Sequence, residues 1–200
     1  RIVGLKPIVP SVADAPIAPS AAGIPPITPP AADVKHGHYL IHPDGTVTDT
    51  RNGLMWKRCA EGQTWDGKTC VGNGNKMKWN DIMRTGWFSS PKQKSWPAFA
   101  GYEDWRMPTI EELRTLVYCS SGKPKTWNDT NEVNFSCYGN YKTPTIDQVA
   151  FPNTDATWFW SASAYASDSS GAWNLDFSYG NDYWKGRSYA RQVRLVRVGQ

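Results

Sequence analysis

At 200 residues, with 40% hydrophobic and 20% charged side chains, the chain is long enough for one domain with a substantial core, or for one such domain and an appendage. The formal charge of +4 is mild and the basic residues are scattered, which argues against nucleic acid as a partner. No stretch approaches the roughly eighteen consecutive apolar residues that cross a bilayer, so no membrane span is expected.

The amino-terminal segment stands apart. Eight of the fifteen prolines fall within Pro7 to Pro30. Proline lacks an amide donor and fixes its backbone angle, which excludes a regular helix or a central strand. Ile2, Val3, Leu5, Ile8, Val9, Val12, Ile17, Ile24 and Ile27 make the segment too apolar for a solvated linker. Residues 1–36 are therefore expected to form an extended arm that lies on a surface, either of its own domain or of an adjacent copy. Docking on a copy makes a homo-oligomer or a fibre. The first residues lack the charged and apolar blocks of a signal peptide, and no Met opens the chain. The expectation is that a signal was removed or that this is a fragment.

From His38 the pattern changes. Tyr39-Leu40-Ile41, Thr46-Val47-Thr48 and Leu54-Met55-Trp56 are separated by Asp44-Gly45 and Asn52-Gly53. Such pairs accept the positive backbone angles of tight turns, which predicts a three-stranded meander over Tyr39 to Lys57. The stretch from Glu61 to Asn75 is read as a loop, followed by a short helix near Trp79-Asn80-Asp81 that turns Ile82 and Met83 inward and ends by Gly86. The clearest helix is placed at Thr109 to Tyr118. Thr109 and Glu112 have capping-box spacing, and Ile110, Leu113, Leu116 and Val117 share one face. Glu111 and Glu112 have a structural role there.

Phe151-Pro152-Asn153-Thr154 reads as a fixed turn entering the core, and Trp158 to Ser163 as a strand. Ala172 to Ser178 alternates, with Trp173, Leu175 and Phe177 on one face and Asn174, Asp176 and Ser178 on the other. That is the pattern of a half-buried antiparallel strand. Asn181 to Lys185 follow Gly180 as an exposed loop. Gln192 to Val198 supplies a closing strand, with Val193 and Leu195 inward.

The cysteines Cys59, Cys70, Cys119 and Cys137 allow three pairings or a reduced state. Their spacing matches neither a CxxC redox motif nor a zinc knuckle. Disulfides Cys59–Cys70 and Cys119–Cys137, each closing a local loop, are expected, and with them an oxidising compartment. The three histidines, His36, His38 and His42, form a His-x-His with a third nearby, but at the junction of arm and domain. Trp127-Asn128-Asp129, with Asp147 and Asp155 in reach along the chain, is read as a chance likeness to a calcium-binding triplet. No metal and no cofactor are expected. Asp176 and Asp182 have no spacing that demands a hydrolytic pair.

Taken in order, Asp44 to Asp49, Gly53 to Trp56, Ala100-Gly101, Asp104 to Thr109, Glu111 to Leu113, Phe151-Pro152, Trp160 to Ser163 and Val193 to Arg197 resemble the Lcl C-terminal domain family, also catalogued as domain of unknown function 1566. The resemblance covers roughly Gly37 to Val198. It implies an α+β fold of the C-type-lectin-like and formylglycine-generating-enzyme type, with two helices, small antiparallel sheets and long loops. Family members are similar to secreted or surface-attached bacterial adhesins that bind polysaccharide, and to phage tail and other receptor-binding proteins. The reactive cysteine pair of the enzyme relative has no counterpart here.

The division expected is thus an arm at 1–36 and a C-type-lectin-like domain at 37–200. Its function is expected to be non-catalytic recognition of a glycan or cell-surface polymer, outside the cell or on its surface. The alternative is a structural subunit of a filament or phage tail assembled through the arm. The contact surface is placed at Asn174, Asp176, Tyr179, Asn181, Asp182, Tyr183, Trp184 and Lys185, whose stiff rings and short polar groups have the composition of binding loops.

Overall fold

Two Asx turns set up the first sheet. Asp44 Oδ1 accepts from the Thr46 amide at 2.9 Å, and Asn52 Oδ1 from the Leu54 amide at 3.0 Å. Gly45 and Gly53 follow them at φ of 87° and 69°. The sequence therefore folds back twice, and strands β1 (Val34–His36), β2 (Tyr39–Ile41), β3 (Thr46–Asp49) and β4 (Leu54–Lys57) pair antiparallel in succession. The meander expected over Tyr39 to Lys57 is present. It gains one strand, since β1 pairs with β2 ahead of Gly37.

This computed structural model describes residues 31–84, 96–122 and 136–199, all within the unit Ala31–Gln200. Most of the expected arm, the Trp127-Asn128-Asp129 triplet and the expected helix end at Gly86 lie outside the described residues.

The chain continues through β5 (Thr64–Trp65), β6 (Cys70–Val71), β7 (Met77–Lys78), α1 (Trp79–Arg84) and α2 (Ile110–Arg114). Then come β8 (Trp158–Ala164), β9 (Gly171–Asp176), β10 (Asn181–Gly186), β11 (Ala190–Arg191) and β12 (Val196–Val198). The largest sheet has the order β1-β2-β3-β4-β12, so the last strand closes beside the fourth. A second sheet has the order β10-β9-β8, and β11-β7 and β5-β6 are two-stranded. The architecture is α+β, with small antiparallel sheets and two short helices among the described residues.

Two cores hold these layers together. Tyr39, Val47, Trp56, Ile110, Leu113, Phe151, Phe159, Leu175, Phe177 and Val196 form one, between the five-stranded sheet, α2 and the inner strands of the second sheet. Met55, Trp79, Trp96, Trp105, Met107, Trp160, Ala172, Val193 and Leu195 form the other. Neighbours along one strand face opposite sides, so β4 sends Met55 to one core and Trp56 to the other, while β8 divides Trp160 and Phe159. Each fully buried ring of this size contributes roughly 2–3 kcal/mol of transfer free energy.

Helix α2 carries the expected capping box. Thr109 Oγ1 accepts from the Glu112 amide at 3.2 Å, and Glu112 Oε2 accepts from the Thr109 amide at 2.8 Å. The helix stops at Arg114, short of the expected Tyr118. The Leu116 and Val117 amides bond three residues back, and the Tyr118 amide is taken by the Thr145 carbonyl at 3.0 Å. A tertiary partner thus ends the helix before its apolar periodicity does.

Glu112 also holds Arg106 by a two-pronged pair, at 2.6 and 2.7 Å. Burial pushes its carboxyl pKa up, but the Arg106 hydrogen bond, the Thr109 amide and the Arg106 charge outweigh that and leave it below the usual range. A carboxyl whose pKa is depressed on folding contributes stability that is present above its unfolded value and lost as pH falls through the folded one. Acid titration of thermal unfolding is therefore expected to show Tm falling below about pH 4.5. Glu112→Gln should cost about 1–2 kcal/mol at neutral pH and flatten that acid decline. An unchanged acid limb in Glu112→Gln assigns the loss to other carboxyls.

Both expected disulfides are formed. Cys59–Cys70 ties the end of β4 to β6, and Cys119–Cys137 ties the segment after α2 to the chain leading into Thr145. Among the described residues no cysteine is free, and no helix is long and apolar enough to cross a membrane.

Candidate functional site

The β9–β10 hairpin carries the residues picked out from sequence, and its turn is built on Gly180. Gly180 has φ of 69°, and its amide bonds the Asp176 carbonyl at 2.7 Å. A Cβ here would stand 2.9 Å from Cys137 Sγ and 2.9 Å from Val117 Cγ1, so the backbone angle and the space both demand glycine. The Cys137 amide donates to the Tyr179 carbonyl at 2.7 Å. The Cys119–Cys137 bridge thereby fixes the hairpin tip against the segment following α2.

Asn181 to Lys185 form a strand, not the expected loop. The tight turn at Gly180 returns the chain alongside β9, in a register that pairs Asn181 with Asp176 and Gly186 with Gly171. Directly paired residues point to one side of a sheet. Trp160, Asn174 and Tyr183 therefore make one row across the three strands, and Trp158, Asp176 and Asn181 a second row on the same face. Leu175 and Asp182 point to the opposite face, with Trp173 and Trp184.

On the Leu175 face, Asp182 accepts from Arg114 of α2 at 2.6 and 3.0 Å and is part-buried. Trp184 stacks on Tyr165 with centroids 4.8 Å apart and planes 1° apart, and Tyr165 meets Trp173 edge-on at 5.5 Å. Asp182 thus anchors the hairpin to the helix, and Trp184 belongs to a three-ring stack.

On the other face, Asn174 and Asp176 were expected to stand exposed, and they are buried. Asn174 is 1% exposed and Asp176 3%. Strand β9 is the middle strand of its sheet and is covered on both sides. Leu175 joins the first core, while Ala172, on the Asn174 face, joins the second with Trp160. Alternation of polar and apolar residues therefore did not mean a solvated face. Asn174 Nδ2 donates to the Tyr183 carbonyl, and Asp176 Oδ1 accepts from the Ser178 amide at 2.8 Å. Asn181 is half-buried, whereas Tyr179 and Tyr183 are exposed at 56% and 41%. Lys185 Nζ lies 4.7 Å from the ring centroid of Tyr189, which is itself exposed.

Arg191 completes this face, and nothing in its sequence context marked it. Its guanidinium lies 5.8 Å from the Trp158 centroid and 5.6 Å from that of Tyr189. Burial lowers its pKa, against the opposing charges of Asp176 and Tyr189. Arg114, which holds the other face, was missed for the same reason: it reaches β10 from a distant part of the chain.

The remaining candidates are dispersed. His36 Nε2 pairs with Asp147 at 2.9 Å, and His42 with Asp33 at 2.9 Å and Thr48 at 2.9 Å, while His38 packs on the Tyr39 ring. Burial, then the Arg51 charge, lowers the His38 pKa. Asp155 accepts from Gln192 Nε2. Among the described residues no group of three or more His, Cys, Asp or Glu side chains has the arrangement to hold a metal ion.

Two comparisons bear on the chain. No curated protein matches it. The family model of the Lcl C-terminal domain matches residues 45–197, a span that takes in the first sheet from the Gly45 turn, helix α2, both disulfides and the whole β9–β10 hairpin. With most of its length and most of both cores inside that match, the chain belongs to the Lcl C-terminal domain family.

Proposed function

We propose that this is a non-catalytic, extracellular binding module with a C-type-lectin-like fold, and that it recognises a surface glycan or polysaccharide. The observation that carries this reading is the set of exposed phenol rings, Tyr179 and Tyr183 on a hairpin held by a disulfide and by the Arg114–Asp182 pair, and Tyr189 in the turn that follows it. Large rings left in solvent on a rigid support are costly unless they meet a partner, and their apolar faces with polar edges suit sugar rings. Both disulfides agree with an oxidising, extracellular setting.

A glycan array with the full chain tests this. Binding is expected, and Tyr183→Ala should weaken it about tenfold, the loss of one well-placed aromatic contact. Trp184→Ala should weaken it as well, by removing the ring that lies beside Tyr183 with centroids 5.9 Å apart. Equal signals from wild type and both variants would remove the hairpin from the binding surface.

The second reading is a structural subunit of a filament or phage tail assembled through the arm. The apolar, proline-rich composition of residues 1–30 supports it, as does the position of β10 at the edge of its sheet. A silent array beside spontaneous polymerisation, lost on deleting residues 1–30, supports the subunit instead of the lectin.

A further inference from the structure

Strand β10 leaves one row of main-chain groups turned away from its own sheet. The Arg187 amide donates to the Ser170 carbonyl at 2.9 Å, in line with the register that sets Gly186 against Gly171. Bonded pairs in an antiparallel ladder alternate, so Lys185, Tyr183 and Asn181 are the residues that bond β9. The far side of β9 agrees: the Phe177 amide donates to the Thr157 carbonyl at 3.0 Å, and Leu175, two residues back, stands opposite Phe159. The amides and carbonyls of Asp182 and Trp184 therefore point outward, and among the described residues no strand meets them.

The other edges of the two larger sheets are closed or blunted. Val196 of β12 exchanges two bonds with Arg106, each of 2.9 Å, and Gln192 bonds Trp158 and Trp160 of β8 at 3.1 and 2.9 Å. Strand β1 has three residues, with an exposed lysine, Lys35, at its centre. Short strands and lysines discourage pairing with another chain. Strand β10 runs for six residues without proline and carries the exposed Tyr183, which rests beside Trp184.

We propose that β10 is an interface with a second copy of the chain, pairing antiparallel with its own counterpart about a two-fold axis at Tyr183. Such an axis, normal to the sheet, keeps each side chain on its face, so only residues an even number apart can stand opposite one another. With the axis at Tyr183, Asp182 of each copy meets Trp184 of the other through the outward amides and carbonyls. Asn181 meets Lys185, and Tyr183 meets itself. Gly180 and Gly186 flank the strand and stand opposite each other, so no side chain obstructs either end. An axis at Asp182 would set that carboxylate against itself, and one at Trp184 would run past the end of the strand at Gly186. At Tyr183 no like charges are opposed. Asp182 is paired with Arg114, and the two copies of Lys185 lie about 13 Å apart along the strands, beyond the screening length at physiological salt. The pairing goes beyond the glycan reading and does not depend on it. It joins two copies of the second sheet into one and sets the Tyr179 and Tyr189 rings of both on a single body.

Sedimentation of the full chain between about 1 and 300 µM is expected to show a reversible monomer–dimer equilibrium, as suits a small interface. Tyr183→Lys and Tyr183→Glu each place like charges face to face across the axis and should weaken dimerisation about tenfold or more. Mixed in equal amounts, the two variants should recover wild-type association, because unlike charges then meet; the recovery also shows that both are folded. A wild type that stays monomeric over the whole range overturns the proposal. So does association that neither substitution changes, which would belong to another surface. Tightening by Tyr183→Glu with weakening by Tyr183→Lys would put Tyr183 opposite Lys185 and overturn the axis. Each outcome is read without any glycan, so it stands apart from the array result.

Discussion

Arg194→Ala is expected to lower the stability of the folded unit by about 3–5 kcal/mol, a loss of about 10 °C or more in Tm for a domain of this size. Arg194 is wholly buried, yet no carboxylate pairs with it among the described residues. Its Nη1 donates to the Lys57 carbonyl at 3.0 Å and to the Arg58 carbonyl, and its Nη2 to Thr154 Oγ1 at 2.7 Å. Its guanidinium lies 4.9 Å from the Phe151 centroid and 5.7 Å from that of Phe159. The side chain therefore gathers the end of β4, the Phe151 turn and β8 around one planar group. Burial lowers its pKa to about 9, so it remains charged at neutral pH.

Truncation opens a cavity and strands two backbone carbonyls that water does not reach. Arg194→Lys keeps the charge, but its single nitrogen cannot span three acceptors, and an intermediate loss of about 2 kcal/mol is expected. Urea unfolding of the three proteins reads both numbers. A loss below about 1 kcal/mol in the alanine variant would mean that neighbouring groups re-pair the carbonyls and that Arg194 does not hold these segments together.

Replacing Cys119 and Cys137 together by serine is expected to cost about 3 kcal/mol by the chain-entropy estimate for a loop of this length. The effect should also be local. The Cys137 amide bonds the Tyr179 carbonyl, and the bridge packs beside Gly180, so the hairpin tip loses its anchor. Amide hydrogen exchange should show lost protection at Cys137 and along β10. In the Cys59→Ser, Cys70→Ser protein these amides should remain protected, because that bridge braces β4 and β6 instead. Global unfolding at lower denaturant with no selective loss at Cys137 would show that the bridge acts on the whole fold and not on the tip.

What could be read from the residues alone followed local chemistry. The Asp44-Gly45 and Asn52-Gly53 turns, the Thr109–Glu112 capping box and the pairing of cysteines across short loops all depend on residues close in sequence, and all are present. Trp173, Phe177, Phe159 and Trp160 fall in the inward phase of their expected strands; the last three are fully buried and Trp173 only partly so. The misreadings arose where distant segments decide. Asn181 to Lys185 looked like a loop because no β-branched run marks it, yet the Gly180 turn and the β9 edge impose a strand. Asn174 and Asp176 looked solvated because they alternate with core residues, while a second core closes over their face. Arg194 sits between Val193 and Leu195 in the phase that alternation sends outward, and it is buried with them. Of the contact surface, the exposed tyrosines Tyr179 and Tyr183 were legible, and Arg191 was not, since its place depends on tertiary packing.

The pairing of β12 with β4 has a bearing on how the molecule is made. The strand at Leu54–Lys57 leaves the ribosome long before its neighbour at Val196–Val198, and Arg194 arrives only just ahead of that neighbour. A nascent chain stalled a few residues short carries a sheet with an open flank and an unfilled centre. Native closure of the first sheet must therefore wait until Val198 has been made, long after β4, and the flank of β4 stays unpaired while everything between is synthesised.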